Sequence, residues 1–169
     1  MAGMNEDRHV YAVAVGSNRA RRGGERPRDL IHAAMDRLGA YPFTLLARSS
    51  IIDTAPIGPS LRRYANAAIL IETGLPPLAL LAHLKATERA FGRCTGGQRW
   101  SARALDLDII LWSGGLWASK GLAIPHAAFR TRAFVLQPLA QIAPDWRDPL
   151  TGISIRQLLH RVSSCRISH

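Results

Sequence analysis

The sequence is poor in the residues that crosslink a fold or anchor it in a membrane. Its two cysteines, Cys94 and Cys165, are too few for a disulfide framework and lack the spacing of metal ligands. No apolar run approaches the roughly 18 residues that a membrane-spanning helix requires. The first residues, Met1–His9, are polar and mixed in charge, unlike a secretory signal. We therefore expect a cytoplasmic protein with no membrane association.

Lysine occurs only at Lys85 and Lys120, so arginine supplies nearly all of the formal net charge of +10. Such a balance favours an anionic ligand, either nucleic acid or a small polyanion. The basic residues are scattered, and their densest patch, residues 19–28, includes two glycines and is predicted to be a loop. The scatter favours a small polyanion.

The chain of 169 residues, 47% of them hydrophobic, is long enough for one domain with its own core. No internal repeat or linker interrupts residues 1–169, and we expect residues 1–8 and 163–169 to be flexible. Apolar periodicity, interrupted by proline and glycine, predicts five strands: Val10–Val15, Thr44–Asp53, Tyr64–Thr73, Leu105–Leu111 and the short Leu122–Ile124. The same signals predict four helices: Pro27 to Leu38, Pro77 to about Phe91, Phe129 to Ile142 with a break near Pro138, and a last helix after a Ser154 cap. This order predicts an α+β, ferredoxin-like βαββαβ sandwich with a mainly antiparallel sheet and C-terminal additions.

The stretch after Arg99 and Arg103 contains two aspartates in a strand pattern. Alternation along the strand predicts one apolar face and one face that carries carboxylates: Leu105, Leu107, Ile109 and Leu111 on the first, and Asp106, Asp108, Ile110 and Trp112 on the second. Two neighbouring carboxylates favour a hard cation such as Mg²⁺, and arginine forks favour phosphate oxygens. The pattern indicates a metal-nucleotide site, although an edge strand with a solvated acidic face would give the same pattern.

Two further features have a structural alternative. Asn66 is a polar residue in an apolar strand and is either an edge amide or a partner for a heterocycle. For Lys85 and Glu88, one helical turn apart, the residues by themselves favour a surface ion pair.

Taken in order, the motifs resemble those of the 6-hydroxymethyl-7,8-dihydropterin pyrophosphokinases of folate biosynthesis, from Tyr11 to about Val162. The matching motifs are spread along the chain: Gly16-Ser17-Asn18, residues 54–59, residues 64–67, Glu88 with Gly92-Arg93, residues 99–110, Pro125-His126 and Arg132-Ala-Phe134. The resemblance implies transfer of pyrophosphate from ATP to the pterin hydroxymethyl group, with release of AMP.

The resemblance also implies roles for individual positions. Asp106 and Asp108 correspond to the ligands of two Mg²⁺ ions, and Arg93, Arg103 and Asp108 to catalytic residues. Lys85 stands where a glutamine commonly meets the nucleotide. The positions that correspond to ATP contacts are Lys85, Glu88, Arg93, Trp100, Arg103, Ile109, His126 and Arg132. Those that correspond to pterin contacts are Thr54, Ala55, Ile57, Tyr64, Asn66, Trp100 and Phe134.

We expect a monomer whose partners are these small molecules, and a segment from Arg93 to Ala102 that becomes ordered over bound substrates. Two alternatives remain open. A basic ferredoxin-like RNA-binding module would need exposed strand aromatics, for which only Tyr11 and Tyr64 are candidates. A nucleotidyl transferase would release pyrophosphate instead of AMP.

Overall fold

The computed structural model of the protein describes residues 8–18, 26–54, 64–92 and 104–165. Its elements follow one another in this order: β1 (His9–Ser17), α1 (Pro27–Leu38), β2 (Thr44–Arg48), β3 (Ile52–Thr54), β4 (Tyr64–Thr73), α2 (Pro77–Gly92), β5 (Asp106–Trp112), β6 (Trp117–Ser119), β7 (Leu122–Ile124), a 3₁₀ turn (Phe129–Thr131), α3 (Ala133–Ile142) and α4 (Ile155–Cys165).

The main sheet has the strand order β2-β4-β1-β5, and β3 also pairs with β4. Every pairing in it is antiparallel. The two central strands, β1 and β4, are nine and ten residues long, and none of their residues is exposed. This arrangement confirms the predicted ferredoxin-like class. A separate hairpin, β6-β7, follows β5.

Helices α1 and α2 cover one face of the sheet. Proline at the first position and an Asp29 carboxylate that accepts from the Arg26 N–H begin α1, and Gly39 follows its last residue. The helix buries the five residues that periodicity predicts: Leu30, Ile31, Ala34, Met35 and Leu38. They pack on Tyr11, Val13 and Val15 of β1, forming the first core.

The C-terminal helices α3 and α4 cover the opposite face and form a second core around Phe129, Leu136 and Ile155. A reciprocal pair begins α4, because the Ser154 N–H donates to Gln157 Oε1 and the Gln157 N–H donates to Ser154 Oγ. The predicted cap is therefore confirmed. The C-terminal additions turn the two-layer sandwich into a sheet between two helical layers.

The alternation predicted along β5 holds through Ile110 and is wrong for Leu111 and Trp112. A bulge in the β1–β5 pairing sets Val13 opposite Ile109 but Ala12 opposite Leu111. The extra residue reverses the facing of the strand end. Leu111 therefore joins the second core, on the side of the aspartates, whereas Trp112 packs against the first core.

Three other features differ from the prediction. The helix predicted from Phe129 begins with a separate 3₁₀ turn, and α3 starts only at Ala133. The extended stretch Thr44–Asp53 is two strands, because Ser49 Oγ accepts from the Ala68 N–H and donates to the Ser50 carbonyl, which interrupts regular pairing. Helix α3 continues through Pro138. Pro138 lies five residues after the first residue of α3. Helical hydrogen bonding continues beyond it, because the Ala143 N–H donates to the Leu139 carbonyl.

Among the described residues, no helix is both long enough and apolar enough to cross a membrane.

Candidate active site

A row of paired residues crosses the sheet where β1 ends. Gly16 pairs with Asn66 of β4 on one side and with Asp106 of β5 on the other. Residues that pair directly in antiparallel strands present their side chains on the same face. With strands about 4.8 Å apart, the backbones of Asn66 and Asp106 are separated by about 10 Å. Glycine between them leaves this gap open above the sheet.

The next row repeats the arrangement one step further into the sheet. Ala14 of β1 lies between Ala68 of β4 and Asp108 of β5. Asp106 is exposed and Asp108 half-buried, and their backbone positions are about 7 Å apart along the strand. The two carboxylates therefore stand beside a floor of Gly16 and Ala14, whereas Ala68 is buried in the second core. The sequence contained this floor as small residues at alternate strand positions, a signal that our sequence analysis did not use.

The two carboxylates have a donor set that fits a hard divalent cation. Their ligands are oxygen atoms only, and Asp106 is open to solvent, so a phosphate could complete the coordination. Among residues 8–18, 26–54, 64–92 and 104–165, no three His, Cys, Asp or Glu side chains gather around one point.

Opposite the aspartates, Asn66 is held in a defined orientation. Its side chain is 8% exposed, and Nδ2 donates to Thr54 Oγ1 at 2.9 Å. A Cβ built on Gly16 would lie 3.4 Å from Asn66 Oδ1, so this oxygen points towards the floor. Thr54 pairs with Tyr64, which lies two residues before Asn66. Three predicted pterin contacts thus share the face of the aspartates.

Glu88 connects α2 to the outer edge of β5. One of its oxygens accepts both from the Leu107 N–H and from Lys85 Nζ, each at 2.8 Å. The Glu88 side chain is only 10% exposed, whereas that of Lys85 is 35% exposed. The ion pair is present, but its carboxylate is a buried acceptor for strand β5 and not a solvated surface charge.

The segment from His126 to Phe134 lies beside the same strand. The His126 N–H donates to the Ile110 carbonyl at 3.0 Å, which fixes His126 at the outer edge of β5. Arg132 caps the N-terminus of α3 and is exposed. Its guanidinium carbon lies 5.8 Å from the centroid of the half-buried Phe134 ring. A cation and an aromatic face therefore occur together at this end of α3.

Ile109 is not on the face of the aspartates. Its side chain is 2% exposed within the first core. In a strand, the main-chain N–H and C=O groups of residues two apart point to the same edge. The main-chain groups of Ile109 therefore point, like those of Leu107, to the outer edge of β5. Only its main chain is available to a ligand.

Five other predicted site residues lie outside the described residues: Ala55, Ile57, Arg93, Trp100 and Arg103. The predicted ordering of residues 93–102 falls in the same part of the chain. One neighbouring contact is described, in which the buried Ser17 hydroxyl donates to the Ala104 carbonyl. It joins the end of β1 to the residue that follows this segment, a contact that the sequence did not reveal.

Comparison with known proteins identifies the family of this chain. The family model of 7,8-dihydro-6-hydroxymethylpterin-pyrophosphokinase matches residues 12–144. A Pseudomonas aeruginosa 2-amino-4-hydroxy-6-hydroxymethyldihydropteridine pyrophosphokinase is 43% identical over 142 residues, covering 83% of each chain. A Methylorubrum extorquens protein of the same name is 36% identical, over 79% of this chain and 84% of its own.

A solved Plasmodium falciparum HPPK-DHPS chain has the same fold, with a TM-score of 0.74 at 13% identity. The match covers 98% of this chain but only 43% of that longer chain. The family match includes both aspartates, Asn66 and Phe134. The chain therefore belongs to the 7,8-dihydro-6-hydroxymethylpterin-pyrophosphokinase family.

Proposed function

We propose that this chain transfers pyrophosphate from ATP to the hydroxymethyl group of 6-hydroxymethyl-7,8-dihydropterin, releases AMP, and so serves folate biosynthesis. The observation that carries the proposal is the row Asn66–Gly16–Asp106, which sets an oriented amide and a carboxylate on two sides of an open floor. A flat heterocycle suits the amide side, and a metal-bound triphosphate suits the carboxylate side. The reacting groups would meet above Gly16 and Ala14.

The metal part of the proposal assigns two Mg²⁺ ions to Asp106 and Asp108. When bound with ATP, such ions neutralise the negative charge that grows on phosphoryl oxygens during transfer. Arg93 and Arg103, catalytic candidates from the sequence, would complement that charge with guanidinium forks. Asp106 and Asp108 would in this way position the triphosphate above Gly16 and Ala14.

The pterin side of the proposal uses residues that share one face. Asn66 would hydrogen-bond the edge of the ring, and Phe134 would stack against it. Thr54 orients the Asn66 amide, and Tyr64 lies beside them. The family resemblance adds Ala55, Ile57 and Trp100 to this side.

The nucleotide side would involve β5 and its neighbours. Glu88 and His126 bond to the outer edge of β5, and Lys85 pairs with Glu88. Arg132, at the start of α3, and the main chain of Ile109 would add further contacts. The pterin hydroxymethyl oxygen would attack the β-phosphorus and lose its proton to solvent, the bond from that phosphorus to the oxygen of the α-phosphate would break, and AMP would leave. Positioning and charge stabilisation supply most of the catalysis in such transfers. We further propose that the chain is a monomer and acts in the cytoplasm. Light scattering of the pure protein tests the oligomeric state.

The RNA-binding alternative is not supported. Tyr11, one of its two candidate stacking residues, is fully buried, and its hydroxyl donates to the Leu75 carbonyl at 2.7 Å. A ring in the core cannot stack on a base.

Product analysis tests the proposal. The pure protein is incubated with ATP, Mg²⁺ and 6-hydroxymethyl-7,8-dihydropterin, and the nucleotide products are separated. Equal amounts of AMP and pterin pyrophosphate are expected. Release of inorganic pyrophosphate with an adenylylated pterin would instead identify a nucleotidyl transferase, and no product at all would contradict both.

A further inference from the structure

Asp148 is a completely buried carboxylate in the loop between α3 and α4. Both of its oxygens accept from the Arg130 guanidinium, from Nε and Nη2, each at 2.7 Å. Thr151 Oγ1 donates at 2.6 Å and the Leu150 N–H at 3.1 Å. The side chain is 0% exposed, against 24% for Arg130. These bonds outweigh the burial that would otherwise raise the pKa of Asp148, and they lower it to about 2.

The loop that carries this carboxylate is itself closed by main-chain bonds. The Asp148 N–H donates to the Ile153 carbonyl at 3.0 Å, and the Asp148 carbonyl accepts from the Gly152 N–H at 2.8 Å. Asp148 therefore presents its carboxylate from a rigid support. It also lies beyond residues 12–144, the part of the chain that the family model matches.

Arg130, its partner, belongs to the single 3₁₀ turn Phe129–Thr131 that precedes Arg132. That turn is weak by itself, because its N–H groups from Thr131 and Arg132 reach their carbonyl acceptors only at 3.5 and 3.3 Å. A bidentate, buried ion pair in its middle holds the turn more firmly than its own hydrogen bonds do.

Arg132 depends on this turn for its direction. As the cap of α3 it has extended backbone angles, φ −99° and ψ 98°. Its carbonyl accepts from the Val135 and Leu136 N–H groups at 3.0 Å, whereas its own N–H donates to Phe129 of the turn at 3.3 Å, so the turn holds the N-terminal side of this residue. Phe134 differs, because it lies within α3 and packs against the second core. Loosening the 3₁₀ turn would therefore disturb Arg132 and leave Phe134 in place.

We propose that Asp148 is a positioning residue for the nucleotide, acting through Arg130 and the 3₁₀ turn to aim Arg132 at the phosphates of ATP. This inference rests on the proposed function, in which Arg132 contacts ATP and Phe134 contacts the pterin. It assigns to the C-terminal loop a role in substrate binding besides its part in the second core.

The test compares Asp148→Asn with Asp145→Asn. Asp145, three residues away, makes an exposed ion pair with Arg156, so its substitution removes the same charge from the same loop without touching the 3₁₀ turn. For Asp148→Asn we expect about a tenfold rise in the KM for ATP, less than a twofold change for the pterin, and kcat within threefold of wild type. Asp145→Asn should match the wild type in all three. A general loss of stability would not separate the two substrates in this way, so equal changes for both, or none, would overturn the proposal.

A double-mutant cycle tests the route through Arg132. In an Arg132→Ala background, Asp148→Asn should raise the KM for ATP no further, whereas two effects that multiply would show that Asp148 does not act through Arg132. If Asp148→Asn does not fold, Arg130→Lys replaces it, because lysine keeps the cation and loses the fork. Arg130→Lys should give the same substrate split with a smaller rise, and an unchanged KM for ATP would overturn the proposal.

Amide hydrogen exchange separates this inference from the proposed function. Residues 129–132 should exchange at least tenfold faster in Asp148→Asn than in Asp145→Asn, without any substrate present. A wild-type protein that makes no AMP refutes the function but leaves this exchange result standing. Equal exchange in the two variants refutes the inference alone.

Discussion

At the scale of single residues, Asn66 has the most constrained position in the candidate site. It is buried, its amide nitrogen is bonded to Thr54, and its oxygen faces the floor at Gly16. The sequence left an edge amide and a heterocycle partner open for this position. The orientation towards an open floor favours the second.

Substitution of Asn66 by alanine should weaken pterin binding. Loss of one well-oriented amide costs about 2 kcal/mol, which corresponds to roughly a 30-fold rise in the dissociation constant of the pterin. ATP affinity should change less than threefold, because Asn66 lies across the floor from the aspartates. Fluorescence titration with each ligand measures both. Weakened folding with unchanged pterin affinity would mean that Asn66 is a structural amide.

The Arg130–Asp148 pair predicts a specific acid sensitivity. The folded-state pKa of Asp148 is lowered from 3.8 to about 2, so its contribution to stability is fully present above about pH 4 and is lost as pH falls towards 2. The full contribution is about 2 kcal/mol, of which about 1 kcal/mol is gone at pH 3. Urea unfolding measures the free energy of unfolding of wild type and of Asp148→Asn at pH 5 and pH 3. The difference between the two proteins should be about 1 kcal/mol smaller at pH 3 than at pH 5. A difference independent of pH would contradict the buried, ionised state of Asp148.

At the scale of elements, Glu88 joins α2 to β5 and so places the strand that carries the aspartates. Its partner Leu107 is fully buried, so the Leu107 N–H has no access to water if the carboxylate is removed. The ion pair with Lys85 matters less to stability because Lys85 is partly solvated.

These contacts predict that substitution of Glu88 destabilises the fold more than substitution of Lys85. Glu88→Ala should lower the free energy of unfolding by about 1–3 kcal/mol, because it leaves a buried donor unsatisfied. Lys85→Gln should cost less than about 1 kcal/mol. Denaturant unfolding of the two variants beside Glu88→Gln, which keeps an acceptor oxygen, provides the comparison. If Lys85→Gln proved as costly as Glu88→Ala, the charge pair and not the strand contact would be the main link.

Elements with strong local signals were predictable from the sequence. Proline, glycine and a regular apolar period delimit α1, and its five buried residues were identified without any tertiary information. The bulge at Ile110 was not predictable, because it depends on the register against β1. The break within Thr44–Asp53 likewise depends on Ala68, a residue of the partner strand.

At the scale of the whole molecule, the sequence predicted the order of elements and the facing of Asp106, Asp108 and Asn66. It did not predict that the C-terminal helices would cover the second face of the sheet and leave only its end open. The aspartates and the Asn66 amide lie at that end, on the rows that pair with Gly16 and Ala14. The contact of Arg130 with Asp148 was equally invisible, because it joins residues 18 positions apart through a loop without a motif.

The central claim is that catalysis occurs at the two neighbouring rows that carry Asp106 and Asp108 beside Gly16 and Ala14. The most direct test is the rate of AMP formation by Asp108→Asn at saturating Mg²⁺ and both substrates, with Asp145→Asn as the control for loss of one negative charge. The account predicts a fall of at least about 100-fold for Asp108→Asn, comparable to the loss of one transition-state contact, with a normal unfolding transition. Asp145→Asn should keep the wild-type rate. A near-normal rate of AMP formation by Asp108→Asn would contradict the claim.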